Sequence, residues 1–300
     1  MRKTCAALAG GLLSAVVTTS TALAEARIRA ISEVIEDHQV GGVAIDALGY
    51  LYVADFGESV WKLTPEFVRQ EFASGLYGAS GNTIDRAGNL LQSSFYGDSV
   101  TRIDRKGRAE PLVTAGLYGP VGIAIHPRTG EVYVANCRGN TLARIAADGT
   151  ATLFAKSDLF KCPNGLSFDR EGNLYTVNFR DNRMFKIDGQ GTVAQFATVS
   201  GKGLGHVCFK DDRLYVTAYQ SHEIYEVTLT GQVKRILGNG ERGTVDGAGA
   251  EARLSFPNGI ACHPWNLRLY INEYLNEDPG GLPRRVIIRE ITLDPLPTTR

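Results

Sequence analysis

Apolar and polar positions alternate along this chain in short runs, and the runs come in pairs. Six times a glycine or small residue opens an apolar segment that ends at an acidic, His or Lys position and is answered by a second apolar segment. The first members are VGGVAID from Val40, ASGNTID from Ala79, PVGIAIH from Pro120, PNGLSFD from Pro163, LGHVCFK from Leu204 and PNGIACH from Pro257. The second members are YLYVAD, NLLQSS, EVYVAN, NLYTVN, RLYVTA and RLYINE. Short alternating runs bounded by Gly, Pro, Asn or Asp predict strands. The pair recurs about every 40 residues, stretched once to about 53, which is the period at which four-stranded units stack radially into a propeller. The expected fold is therefore all-β, a six-bladed β-propeller.

The same reading predicts how the ring closes. The sixth blade offers strands near Asn258 to His263, Arg268 to Glu273 and Arg285 to Leu293, one fewer than a full blade. Arg27 to Ile35 (RIRAISEVI) alternates in the same way ahead of the first repeat, so it is predicted to supply the outer strand of the last blade and remove the free edges of an open ring. Glycine and alanine in the innermost strands fit the crowding expected around a narrow axis.

Composition changes the picture in two respects. The 32 basic and 32 acidic residues balance, so no basic surplus recommends a nucleic-acid or anionic-membrane partner. Residues 1–24 read as a leader: Arg2 and Lys3, an apolar run from Ala6 to Val17, and a small-x-small step at Ala22-Leu23-Ala24. The mature chain, residues 25–300, is expected as one propeller domain, a monomer without membrane insertion, in a periplasm or outside the cell. That compartment permits disulfides among Cys137, Cys162, Cys208 and Cys262. Cys137 ends a second strand and Cys162 opens the next blade's first strand on the same face, so these two are expected to pair. Cys208 and Cys262, inside innermost strands, are expected as packed free thiols.

Two stretches resemble known families. Gly238 to Gly247, continuing AGAEARLSFPNGI, resembles the NHL repeat, and PNGLSFDREGNLYTVN from Pro163 resembles the gluconolactonase, or senescence-marker-protein, propellers. The second resemblance implies a lactone or ester hydrolase with a divalent cation, Ca or Zn, on the propeller axis. Its ligands would be a Glu opening the first blade, an Asn in an NG step, a further Asn and an Asp in a DG step. Only Asn164, in Asn164-Gly165, carries over as a metal ligand; Gly41-Gly42 and Gly205-His206 stand at the two carboxylate positions. A hard cation needs anionic oxygens to offset its dehydration.

The residues at the axis set the remaining expectations. The position before each repeat's glycine reads Gly41, Ser80, Val121, Asn164, Gly205 and Asn258, and at the next position five blades carry Gly while the fifth carries His206. Asn164, His206 and Asn258 form a polar arc on consecutive blades, with His206 as the candidate catalytic base or ligand for a borderline metal. A second ring, Phe56, Phe95, Cys137, Phe179, Tyr219 and Tyr274, is preceded by Asp55, Ser94, Asn136, Asn178, Ala218 and Glu273. Phe179, Tyr219 and Glu273 join Asn258 as candidate substrate contacts, whereas Asp55, Asn136 and Asn178 suit turn capping. His126 and His263 precede Pro at the opposite strand end and read as turn residues. His38 and His222 lie on loops of the His206 face, where a three-histidine zinc site resembling that of the peptide-amidating lyase propellers is conceivable. No GxSxG elbow, P-loop or CxxC is present. The readings that stand are a lactone or ester hydrolase acting on a small molecule through the Asn164, His206, Asn258 arc, with or without a metal, and a non-catalytic module for a peptide, glycan or protein.

Overall fold

Strand pairing in the computed structural model, which describes residues 26–36, 39–275 and 285–293, follows the repeat blade by blade. The expected leader and His38 lie outside the described residues. Five sheets contain four strands each in chain order, all antiparallel. The fourth blade is representative, with strands Pro163–Phe168, Leu174–Asn178, Arg183–Ile187 and Val193–Thr198. In five of the six blades a side-chain acceptor organises the turn between the first and second strands, the fifth carrying Lys210 there. Asp46 Oδ1 accepts the Leu48 and Tyr50 N–H groups, and Asp85 and Asp169 act alike in their blades. His126 Nδ1 takes the Arg128 and Thr129 N–H groups, and His263 Nδ1 takes that of Trp265. An acidic or His residue recurs there because the turn needs an acceptor two residues ahead of its donors.

The sheets meet through their innermost strands with almost no space between backbones. A Cβ added to Gly42 would lie 2.8 Å from Gly81 Cα, one on Gly165 2.6 Å from His206 Cα, and one on Gly259 2.7 Å from Val43 N. Gly81 and Gly122 press still closer on the carbonyls of Val121 and Asn164. These contacts run from blade one to two, two to three, three to four, four to five, and six to one, and Gly205, where a Cβ would lie 2.8 Å from the Asn258 carbonyl, completes the ring from five to six. Outward of them the hydrophobic core fills the wedges between neighbouring blades. Tyr133, Ala135 and Leu142 of the third blade pack with Leu166, Leu174 and Phe185 of the fourth.

The sixth blade closes as predicted, and the structure explains the long repeat. Pro257–Cys262, Arg268–Leu275 and Arg285–Thr292 are joined by Arg27–Glu36, antiparallel from Arg27↔Thr292 to Glu36↔Arg285. The extra residues before Pro257 fold back so that Gly247–Ala248 pairs with Arg27 and Ile28, covering part of the outer edge. One buried cation fixes this flap. Arg289, fully buried, donates to the Glu273 carboxylate at 3.2 Å, to Asp246 Oδ1 at 2.8 Å, and to the carbonyls of Val245 and Arg253 at 2.9 and 2.8 Å. Asp246 in turn accepts the Ala30 N–H of the closing strand at 3.0 Å.

Both cysteine pairs are bonded. Cys137–Cys162 joins blades three and four as expected. The expectation of free thiols at Cys208 and Cys262 is corrected: they form a second disulfide, with Cα atoms 5.8 Å apart. The innermost strands of blades five and six run side by side, so residues assigned to separate strand interiors face each other across the blade boundary.

Removing one partner of the Arg289–Glu273 pair strands a buried charge. Arg289→Met is expected to lower stability by about 3–5 kcal/mol, and adding Glu273→Leu to restore part of that loss. Urea unfolding measures both, and a cost under about 1 kcal/mol for Arg289→Met would contradict the role given to this cation.

Candidate functional site

On the face where the second strands end, the ring opens into a cavity of about 240 Å³. The axis positions Ser80, Val121, Asn164 and Asn258 line it, with Gln39 and Val40 from the segment before the first blade. The second ring supplies the wall: Phe56, Phe95, the Cys137–Cys162 disulfide, Phe179 and Tyr219. His206 completes it. Five of the six site residues expected from sequence therefore converge here. Glu273 does not, because its carboxylate is turned outward onto Arg289 and is fully buried there. Burial pushes that carboxyl up, to about 7, against the pull of Arg289.

The fifth blade reaches the cavity by inverting the local order of its neighbours. In the fourth blade Asn164 lines the cavity and Gly165 takes the close contact with the next blade. In the fifth, Gly205 takes the close contact, where a Cβ would meet Thr217 Oγ1 at 2.6 Å and the Asn258 carbonyl at 2.8 Å, and His206 lines the cavity. Gly205, expected at the axis, is thus not a lining residue. Thr217 holds the altered backbone, since its Oγ1 accepts the His206 N–H at 2.9 Å and donates to the Asn258 carbonyl at 2.6 Å. Asn258 Nδ2 bonds the carbonyls of Val40 and Gly41 at 2.9 and 3.0 Å, joining blade six to blade one beside the cavity.

Several polar groups of the cavity wall make no hydrogen bond among the described residues, and of these Asn164 Oδ1 and the His206 imidazole stand at the axis. Asn164 is about 94% buried, being 6% exposed, and its Oδ1 makes no hydrogen bond. The side chain of His206 makes none among the described residues; only its backbone N–H and carbonyl bond Thr217 Oγ1. Burial alone pushes the imidazole down, to about 4, with no charged neighbour contributing. It is consequently a neutral donor and acceptor at physiological pH. Among the described residues no carboxylate, the usual orienting partner of a catalytic or metal-bound imidazole, lines the cavity.

Other candidates have structural employment. Asp55 Oδ1 accepts the Gly57 and Ser59 N–H groups, Asn136 Oδ1 that of Tyr118, and Asn178 Oδ1 that of Lys161. His222 Nδ1 accepts the Phe256 N–H at 3.1 Å, with its ring 4.6 Å from the Phe256 ring. Among the described residues no three His, Cys, Asp or Glu side chains gather as a metal site. Two amides and one neutral imidazole do not offset the dehydration of Ca²⁺, and they fall short of a zinc ligand set.

Comparison with known proteins turns on the fold. No family model matches the chain, and no curated protein does. Among solved structures, a gluconolactonase from Xanthomonas campestris is 16% identical, with a TM-score of 0.67 over 90% of each chain. A catalytically inactive virginiamycin B lyase from Staphylococcus aureus with quinupristin is 15% identical, with a TM-score of 0.64 over 90% of this chain and 100% of that one. An auxiliary nutrient binding protein from Bacteroides thetaiotaomicron is 13% identical, with a TM-score of 0.72 over 89% and 76%. The likeness is one of fold. It agrees with the resemblance to gluconolactonase propellers read from Pro163 onward.

His206 also makes stability depend on pH. Its pKa is lowered from 6.5 to about 4 in the folded chain, so below pH 6.5 the unfolded chain binds the extra proton and gains. Its contribution is complete above pH 6.5 and is lost as pH falls through 4, on the order of 3 kcal/mol. His206→Gln, of similar size and not titrating, is expected to lose that much less stability than wild type between pH 7 and pH 4. Urea unfolding at the two pH values checks it, and parallel losses would contradict the neutral, unpaired imidazole.

Proposed function

We propose that this chain is an exported propeller that binds a small, uncharged organic ligand in the central cavity. The carrying observation is that Asn164 Oδ1 and the His206 imidazole, unpaired and in apolar surroundings, both belong to the wall of one cavity. A buried polar group without a partner costs free energy that a bound donor or acceptor returns. The aromatic wall supplies apolar contact, and the described lining residues, none of them a carboxylate or a cation, favour an uncharged ligand. Export accords with the leader read over residues 1–24 and with two disulfides, which persist in oxidising compartments. Among the described residues no helix is long and apolar enough to cross a membrane.

Lactone or ester hydrolysis is the second reading, favoured by the free-base state of His206. A base near pKa 4 is a weak proton acceptor, and neither a carboxylate nor a metal ligand set stands beside it to assist. Binding accounts for more of what lines the cavity.

Melting curves with a library of uncharged ring compounds, including lactones, with and without EDTA, separate the readings. Stabilising compounds are expected to act equally in EDTA, without turnover. Their affinity is expected to fall at least tenfold in Asn164→Ala and in His206→Gly, and to stay unchanged in His126→Ala on the far face. A shift that requires Ca²⁺ or Zn²⁺, or turnover lost in His206→Gln, would favour the hydrolase. No stabilising compound would overturn the cavity reading.

A further inference from the structure

The cavity wall continues onto an exposed aromatic surface that the small-ligand reading leaves unused. Phe56 and Phe95, both lining residues, lie 5.6 Å apart between ring centroids. Tyr96 sits against both, at 5.8 and 5.1 Å, and Tyr77 lies 5.5 Å beyond it. Tyr118 joins from the third blade through the Arg138 guanidinium, which lies 5.0 Å from the Phe95 ring and 4.7 Å from that of Tyr118. Tyr77, Tyr96 and Tyr118 are 65%, 50% and 54% exposed. Tyr77 and Tyr118 occupy the same place in the repeated GLYG segments at Gly75 and Gly116, a place that reads Lys161 and Lys202 in the next two blades.

The ledge is held in place. Arg138 bonds Asp98 Oδ1 at 2.6 Å and the Phe95 carbonyl at 3.0 Å, and Asp98 Oδ1 also takes the Gly119 N–H at 2.6 Å, next to Tyr118. The ion pair neutralises the cation that spaces the rings, so the surface is aromatic, uncharged and pre-ordered. Rigid exposed tyrosines give large contact area at small entropic cost on binding.

We propose that the ledge and the cavity form one site for an extended, uncharged peptide segment, which rests on the cavity reading above and names its ligand. An apolar side chain fills the pocket between Phe56, Phe95 and Phe179. The neighbouring backbone N–H pairs with Asn164 Oδ1, a backbone carbonyl accepts from the His206 N–H, and the chain then runs outward over Tyr96 and Tyr77. Aromatic grooves of this kind accept extended peptides, proline-bearing ones especially. A sugar in the same pocket would find partners at Gln39, Ser80, Asn164, His206, Tyr219 and Asn258 on one side only, leaving the hydroxyls against Val40, Val121 and the phenylalanines without any. A chain terminus would bring a charge that no described lining residue answers. The segment is therefore internal.

Screening an immobilised library of N-acetylated, C-amidated hexapeptides built from uncharged residues tests the proposal. Peptides bearing aromatic residues or proline are expected to be enriched. The best of them, measured in solution by fluorescence anisotropy, is expected to lose at least tenfold in affinity to Tyr96→Ser and to the Tyr77→Ser/Tyr118→Ser pair, with melting temperatures near wild type. Uncharged ring compounds that bind the cavity while no hexapeptide does, or peptide affinity unmoved by the tyrosine changes, would overturn the ledge and leave the cavity reading standing. Tyr96-dependent binding confined to a glycan array would overturn the peptide as ligand. Failure of peptides and ring compounds together would remove both.

Discussion

The close approach of the innermost strands governs everything else in this molecule. Where Gly42, Gly81, Gly122, Gly165 and Gly259 meet the next blade, a methyl group would collide with backbone. The glycines let six sheets converge on one axis, and convergence brings the hydrophobic faces of neighbouring blades together. Backbone polar groups crowded so tightly need partners, and the second strands supply them. Ser93 bonds the Gly81 carbonyl at 2.9 Å, Thr176 that of Gly165 at 3.0 Å, and Asn272 Oδ1 takes the Gly259 N–H at 2.7 Å. Substituting a bulky residue into this ring without compensation would push blades apart.

His206 enters that ring because the fifth blade exchanges the roles of two adjacent residues. Gly205 takes over the tight contact, Thr217 fixes the backbone, and the imidazole is released toward the axis. The imidazole faces the cavity without a hydrogen bond among the described residues, and Asn164 Oδ1 one blade away is buried without one. Such groups persist where a ligand completes them. Aromatic side chains at the ends of the second strands surround the pair, and none of the described residues lining the cavity carries a fixed charge.

Much of this was legible in the chain. The repeat gave the blade count, the alternation of Arg27 to Ile35 gave the closure, and the shared face of Cys137 and Cys162 gave one disulfide. Register at the axis gave Asn164, His206 and Asn258, and the strand ends gave Phe179 and Tyr219. What was missed depends on distances between blades, which a single-chain pattern does not encode. Cys208 and Cys262 looked like core thiols because nothing local shows that neighbouring innermost strands place them within bonding reach. Glu273 looked like a ligand contact because its partner, Arg289, lies two strands of reasoning away, with Asp246 in a flap read only as a family signature. The tyrosine ledge had a signal, the twice-repeated GLYG, whose meaning emerged once Arg138 was seen to space the rings.

The state of the His206 imidazole carries the account, since a neutral, unpaired ring defines what the cavity can hold. Nitrogen-15 NMR of the five histidines, with His206 assigned by its absence in His206→Gln, reads that state directly as a function of pH. The account predicts a neutral His206 ring at pH 7 that takes up a proton only near pH 4, and ring nitrogen shifts that move when a cavity ligand is added. A His206 ring that protonates at pH 6 to 7, near the ordinary histidine value of about 6.5, would contradict it.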